Sequence, residues 1–185
     1  LKFYLSSVEG IEEENEIKES VESDVFGSIL HKVMETAYQP LCGKLVTADL
    51  LRTIQKDDQA LGDFIAKAFA SEFFKSEEPR PLLGQNFLIG EMIRKYVKQI
   101  LRIDRGLTPF KYLESERRVL GLVRLSDGTS VRLKGFIDRM DEKDGIVRIV
   151  DYKSGLGTNL FSSIEDLFDS SLKDRPKAVM QVFLY

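Results

Sequence analysis

From residue 26 the apolar side chains Phe26, Ile29, Leu30, Val33, Met34, Ala37 and Tyr38 recur at the three-and-four spacing of an amphipathic helix. Ser23 or Asp24 is placed to cap it, and Pro40 to end it. A second helix is predicted from Thr47. A third carries Leu61, Phe64, Ile65, Ala68, Phe69 and Phe73 and breaks at Glu77, Glu78 and Pro79. The longest stripe, Ile89, Ile93, Tyr96, Val97, Ile100 and Leu101, predicts a fourth helix that Gly106 and Pro109 stop. Beyond Pro109 the period changes to two. The turn signals Ser126-Asp127-Gly128 and Asp144-Gly145 divide the stretch into strands at 111 to 124, 130 to 141 and 146 to 153. A polar, Ser-rich connection over 155 to 172 leads to a last helix opening at Pro176. Helices, then an antiparallel meander, then a helix is an α+β order.

Composition narrows the class without naming a function. The 185 residues are 43% hydrophobic and 31% charged, which is the make-up of one globular domain. The net charge of −3 advertises no polyanion partner, so any nucleic-acid surface has to be local. The charge is uneven: residues 9 to 24 hold eight acids against Lys18, and the rest of the chain is mildly basic. That acidic segment reads as a solvated entry. Cys42 is the single cysteine, which excludes an internal disulfide, a cysteine-built zinc site and an iron-sulfur cluster supplied by these residues alone. Cys42 itself reads as an inert, semi-buried thiol. There is no membrane-length apolar run and no signal stretch, and a reducing, cytoplasmic setting is expected. Starting at Leu1 and ending at Tyr185 inside an apolar-periodic segment, the sequence reads as a fragment truncated at both ends.

The chemistry concentrates at the end of the third strand. In Val147-Arg148-Ile149-Val150-Asp151-Tyr152-Lys153 alternation puts Asp151 and Lys153 on one face. The preceding strand carries Gly135-Phe136-Ile137-Asp138-Arg139, and a hairpin turning at 141 to 145 brings Asp138 into register with Asp151. Two such carboxylates suit a hard divalent ion, Mg²⁺ or Mn²⁺, which keeps water and leaves room for phosphate oxygens. Such an ion activates water and neutralises a leaving oxygen. Lys153 then orients or helps deprotonate the water, or steadies the charge of the transition state.

These segments resemble the PD-(D/E)XK nucleases, and within them the RecB/AddB-like exonuclease branch. Gly135 to Arg139 and Val150 to Gly155 look like the signature GxIDR and VDYKTG-like segments, with Ser154 in the Thr place. Gly27-Ser28-Ile29-Leu30-His31 resembles the branch's histidine helix, Gln181 and Tyr185 its QxxxY motif, and Leu1 to Leu5 the stretch that follows a Cys-Pro pair there. The resemblance implies a restriction-endonuclease-like core, a mixed β-sheet flanked by helices, forming one nuclease domain over 1–185. It comprises a helical insertion at 47–105 and a catalytic core at 110–185. It implies metal ligation by His31, Asp138, Asp151 and the main-chain carbonyl of Tyr152, with Lys153 as the catalytic lysine. It further implies an additional acid, for which Glu116 is the candidate and Glu114, its neighbour on the same face, an alternative, and DNA contacts by Gln181 and Tyr185. The cysteines that hold an iron-sulfur cluster in some AddB-like nucleases lie outside these residues.

The implied activity is a Mg²⁺/Mn²⁺-dependent exonuclease acting on DNA ends, as part of a helicase-nuclease in recombinational double-strand-break repair. A stand-alone or CRISPR-associated RecB-like exonuclease is the alternative within the chemistry, and a non-catalytic DNA- or partner-binding module the alternative outside it. Gly27, one turn before His31, leaves room for another group to approach. Lys177 extends the Gln181 face. The cations Arg117, Arg118, Arg124, Arg132 and Lys134 read first as a solvated sheet surface, with backbone tracking of single-stranded DNA as the alternative. Asp151 and Lys153 taken alone would be an ordinary ion pair at a sheet edge.

Overall fold

The computed structural model describes residues 23–155, 158, 160–169, 171 and 175–184. Leu1 to Leu5, most of the acidic segment, and Tyr185 fall outside the described residues. Helix α1 (Ser23–Tyr38) is followed by a 3₁₀ turn and a two-residue strand β1 (Leu45–Val46). Then come α2 (Ala48–Lys56), α3 (Asp58–Glu72) and α4 (Gly84–Leu107), the strands β2 (Phe110–Arg124), β3 (Ser130–Lys143) and β4 (Ile146–Val150), and α5 (Lys177–Leu184). The sheet order is β1-β2-β3-β4, and every described pairing is antiparallel.

The stripes read from the sequence are the ones that bury. Ile29, Val33 and Met34 of α1 meet Leu61, Ile65 and Phe69 of α3 and Ile93, Val97 and Leu101 of α4, all at 3% exposure or less. Each such side chain contributes about 1.5–3 kcal/mol of transfer free energy. Thr47 caps α2 by accepting from the Leu50 N–H, and Asp57 caps α3 by accepting from the Ala60 N–H. Tyr96 sits at the edge of its stripe, where its ring meets that of Phe26 edge-on at 5.8 Å.

Two departures position the site. β4 ends at Val150 rather than at 153, because the next residue pairs belong to side chains rather than to the ladder: the Tyr152 N–H donates to the Asp138 carboxylate at 2.6 Å. β2 carries an extra residue between Tyr112 and Glu114, a bulge that the apolar-polar alternation does not reveal. The carbonyl of Leu113, the residue inside this bulge, accepts from the Cys42 thiol at 2.9 Å. Cys42 is exposed rather than semi-buried.

Candidate metal centre

Asp138 and Arg139 are neighbours on β3, so they leave the strand on opposite sides. Arg139 goes inward. At 1% exposure it donates two hydrogen bonds to Asp104 of α4, at 2.7 and 2.9 Å, and one to the Tyr152 hydroxyl at 3.0 Å. Tyr38 of α1 donates to the same Asp104 at 2.6 Å. Burial pushes the Tyr38 and Tyr152 hydroxyls well above the ordinary tyrosine range. Burial opposes the Arg139 charge, but the Asp104 bond together with the neighbouring Tyr152, Tyr38 and Asp104 more than offsets it, and Arg139 stays firmly cationic.

This network fixes Tyr152, and Tyr152 fixes the site. Its N–H goes to Asp138, and its carbonyl accepts from His31 Nε2 at 2.9 Å. A carbonyl can only accept, so the Nε2 nitrogen carries the proton. His31 Nδ1 then faces Asp138 Oδ1 at 3.6 Å and Glu116 Oε1 at 4.0 Å. The donor atoms of His31, Glu116 and Asp138 all lie within 4.8 Å of one another. A lone pair and two carboxylate oxygens turned on a common point repel unless a proton or a cation sits among them. One imidazole nitrogen and two carboxylates are a donor set that Mn²⁺ or Mg²⁺ accepts.

Glu116 reaches this point through strain. Its φ is +51°, a left-handed backbone that a glutamate adopts at a cost of about 1–3 kcal/mol, and it lies three residues past the bulge. Glu114 instead pairs with Arg117 on the surface. The two candidate acids are thereby separated: Glu116 joins the cluster and Glu114 does not. A cleft of about 420 Å³ opens beside it, lined by Ser28, His31, Lys32, Glu35, Glu72 and Glu116.

The remaining sequence candidates are not in the cluster. Asp151 lies one residue past the last ladder pair, Arg139 with Val150; it pairs with Lys153 at 2.7 Å, and its charge acts on Asp138 from outside the donor set. The Tyr152 carbonyl is occupied by His31. Gln181 lines a separate cleft with Val119, Ile137, Ile149 and Leu184. The chain after Lys153 packs against α1 at Gly27, where a methyl group would sit 3.1 Å from the Ser154 hydroxyl. The room expected at Gly27 is therefore used. No sequence motif marks Asp104, although it continues the Ile93, Val97, Leu101 stripe at the next position inward. A charge on an apolar stripe is itself a sign of a buried partner.

Burial pushes the Asp138 carboxyl above its ordinary range, with the Tyr152 N–H and then His31 opposing. Glu116 is pushed up by burial and then by the charge of Asp138. An acid whose folded pKa exceeds its unfolded value adds stability when protonated and loses it as pH rises through that window. At neutral pH these carboxylates therefore subtract stability from the metal-free protein. Asp138→Asn is expected to raise the melting temperature in EDTA at pH 7, with the advantage shrinking toward pH 4. Thermal melts at the two pH values check this, and a lower melting temperature for the variant at both would contradict it.

Glu116 of β2 and Asp138 of β3, the two inner strands of the sheet, thus meet His31 of α1 in a carboxylate-histidine cluster of the kind that can hold a divalent ion. The PD-(D/E)XK nuclease superfamily profile matches residues 1–185, and the chain belongs to that superfamily. Its fold is the restriction-endonuclease-like one. No curated protein matches the chain. Among the described residues no helix is long and apolar enough to cross a membrane.

Proposed function

We propose that the chain is the nuclease module of a RecB/AddB-like exonuclease, hydrolysing phosphodiester bonds at DNA ends within a cytoplasmic helicase-nuclease that serves double-strand-break repair. The observation that carries the chemistry is the convergence of His31 Nδ1, Asp138 and Glu116 on one point. The exonuclease and repair context rests on the motif order of the branch, from His31 through Asp138, Asp151 and Lys153 to Gln181.

His31, Asp138 and Glu116 would hold Mg²⁺ or Mn²⁺, with Asp151 and the main-chain carbonyl of Tyr152 as the further ligands that the family resemblance implies. Bound there, the ion supplies Lewis acidity and a water of lowered pKa. The protein's own part is positioning. Asp138 is fixed by the Tyr152 N–H, and His31 is held in one tautomer by the Tyr152 carbonyl. Lys153, half exposed, presents an ammonium next to Asp151, where it meets the attacking water or the phosphoryl oxygens. Gln181 and Tyr185 lie farther along the chain and are assigned to the strand rather than to the reacting phosphate.

A calorimetric Mn²⁺ titration tests the site directly. The parent protein should bind, while Asp138→Asn and Asp151→Asn should each lose binding; loss of a ligating carboxylate removes both a donor and a charge. Absence of binding by the parent at millimolar metal would overturn the metal-dependent reading. Retained binding in Asp151→Asn would reduce the donor set to His31, Glu116 and Asp138.

A further inference from the structure

The β2–β3 hairpin runs on past the helical layer as a two-stranded arm, and every residue from Leu120 to Arg132 is exposed. Its register is regular: Arg118 pairs with Phe136, Leu120 with Lys134, Leu122 with Arg132 and Arg124 with Ser130. Cross-strand partners share a face, so Arg118, Arg124, Arg132 and Lys134 all lie on one side of the ribbon. The other side pairs Val119 with Gly135, Gly121 with Leu133 and Val123 with Val131, and carries no charge over that length. Charge has been sorted by face. The single acid of the arm, Asp127, sits at the tip and accepts from Thr129.

None of the four cations is ion-paired among the described residues, whereas Arg117, on the opposite face, is held by Glu114. The cationic face also has a direction. Continuing down β3 by twos from Arg132 gives Lys134, Phe136 and then Asp138, so the row of cations leads to the carboxylate cluster. From Ser130 to Asp138 the row covers about 27 Å at 3.4 Å per residue.

We propose that this face is a rail for the phosphate backbone of a single nucleic-acid strand, delivering it to the His31, Glu116 and Asp138 cluster. The proposal rests on the nuclease reading for the destination, and on charge complementarity for the rail itself. Arginine forks suit phosphate oxygens. Leu120 and Leu122, 75% and 60% exposed, stand between the cations on the same face. Unstacked bases offer apolar surface to such side chains, whereas a duplex presents mainly phosphates, sugars and base edges.

The test is fluorescence anisotropy of a labelled oligodeoxythymidine and of a blunt duplex, in EDTA, with the full-length protein. The quadruple alanine variant at Arg118, Arg124, Arg132 and Lys134 should bind the single strand roughly tenfold more weakly. Its log Kd against log salt should lose about 3 in slope, which is four phosphates at about 0.7 each. A second variant, the three arginines changed to lysine, should keep the slope. Unchanged affinity and slope in the alanine variant overturn the rail, as does a loss confined to the duplex. A Mn²⁺ titration on the same proteins, freed of EDTA, separates the two proposals. Metal binding that persists while strand binding does not depend on the arm sinks the rail alone. Failure of metal binding in the parent, with the slope change present, sinks the nuclease reading and leaves the rail standing.

Discussion

Arg139→Leu is expected to lower stability by about 3–5 kcal/mol, because among the described residues it leaves the Asp104 carboxylate, 4% exposed, with no cation, and removes one of the two cations of Asp141, 0% exposed, which keeps Arg148. At about 2–4 °C per kcal/mol for a chain of this size, the melting temperature should fall by roughly 6–20 °C. The cost comes from the abandoned charges more than from the bonds. Removing both partners should therefore hurt less than removing one. The double variant Asp104→Leu, Arg139→Met is expected to melt above Arg139→Leu, and thermal melts of the set give the coupling. A loss below about 1 kcal/mol for Arg139→Leu would show that the network carries no such load. Tyr152 makes the effect functional as well as structural: Arg139 holds its hydroxyl, while its N–H and carbonyl hold Asp138 and His31.

That network also shows where the sequence is legible. Periodicity gave α1, α3 and α4 because burial in this core follows the stripes. The turn signals at Ser126-Asp127-Gly128 and Asp144-Gly145 gave the meander, and the hairpin register from them put Asp138 opposite Asp151. What alternation cannot express is a change in what satisfies the backbone. The alternation carries β4 on to Lys153, three residues past its end at Val150, because the partner of the Tyr152 N–H is a side chain, Asp138, rather than a strand. Likewise Glu114 and Glu116 are equivalent in a regular strand. The bulge at Leu113 and the left-handed backbone at Glu116 distinguish them, and neither is marked by a glycine or proline. β1, two residues long, is below the length at which a period is visible. Asp104 belongs to a third kind: the stripe position was readable, but its partner lies 35 residues away on a strand.

Lys153 carries the second large prediction, because its two readings differ by orders of magnitude. As an exposed ion pair with Asp151 it would contribute no more than about 1 kcal/mol, and its removal would be silent in every assay. As the group that steadies charge on the reacting phosphate, Lys153→Met should lower kcat by about 10²–10³, with the melting temperature nearly unchanged. Metal affinity separates this from damage to the site. Lys153 Nζ lies 2.7 Å from Asp151 Oδ2, so it competes with any cation for that carboxylate. Its loss should leave Mn²⁺ affinity undiminished or raise it, whereas Asp151→Asn should lose metal binding and turnover together. Steady-state nuclease assays on the full-length protein, run beside calorimetry, would read both quantities. Equal falls in metal affinity and rate for Lys153→Met would mean that the lysine supports the fold of the 151–155 segment rather than the reaction, and a retained rate would return the pair to the sheet edge.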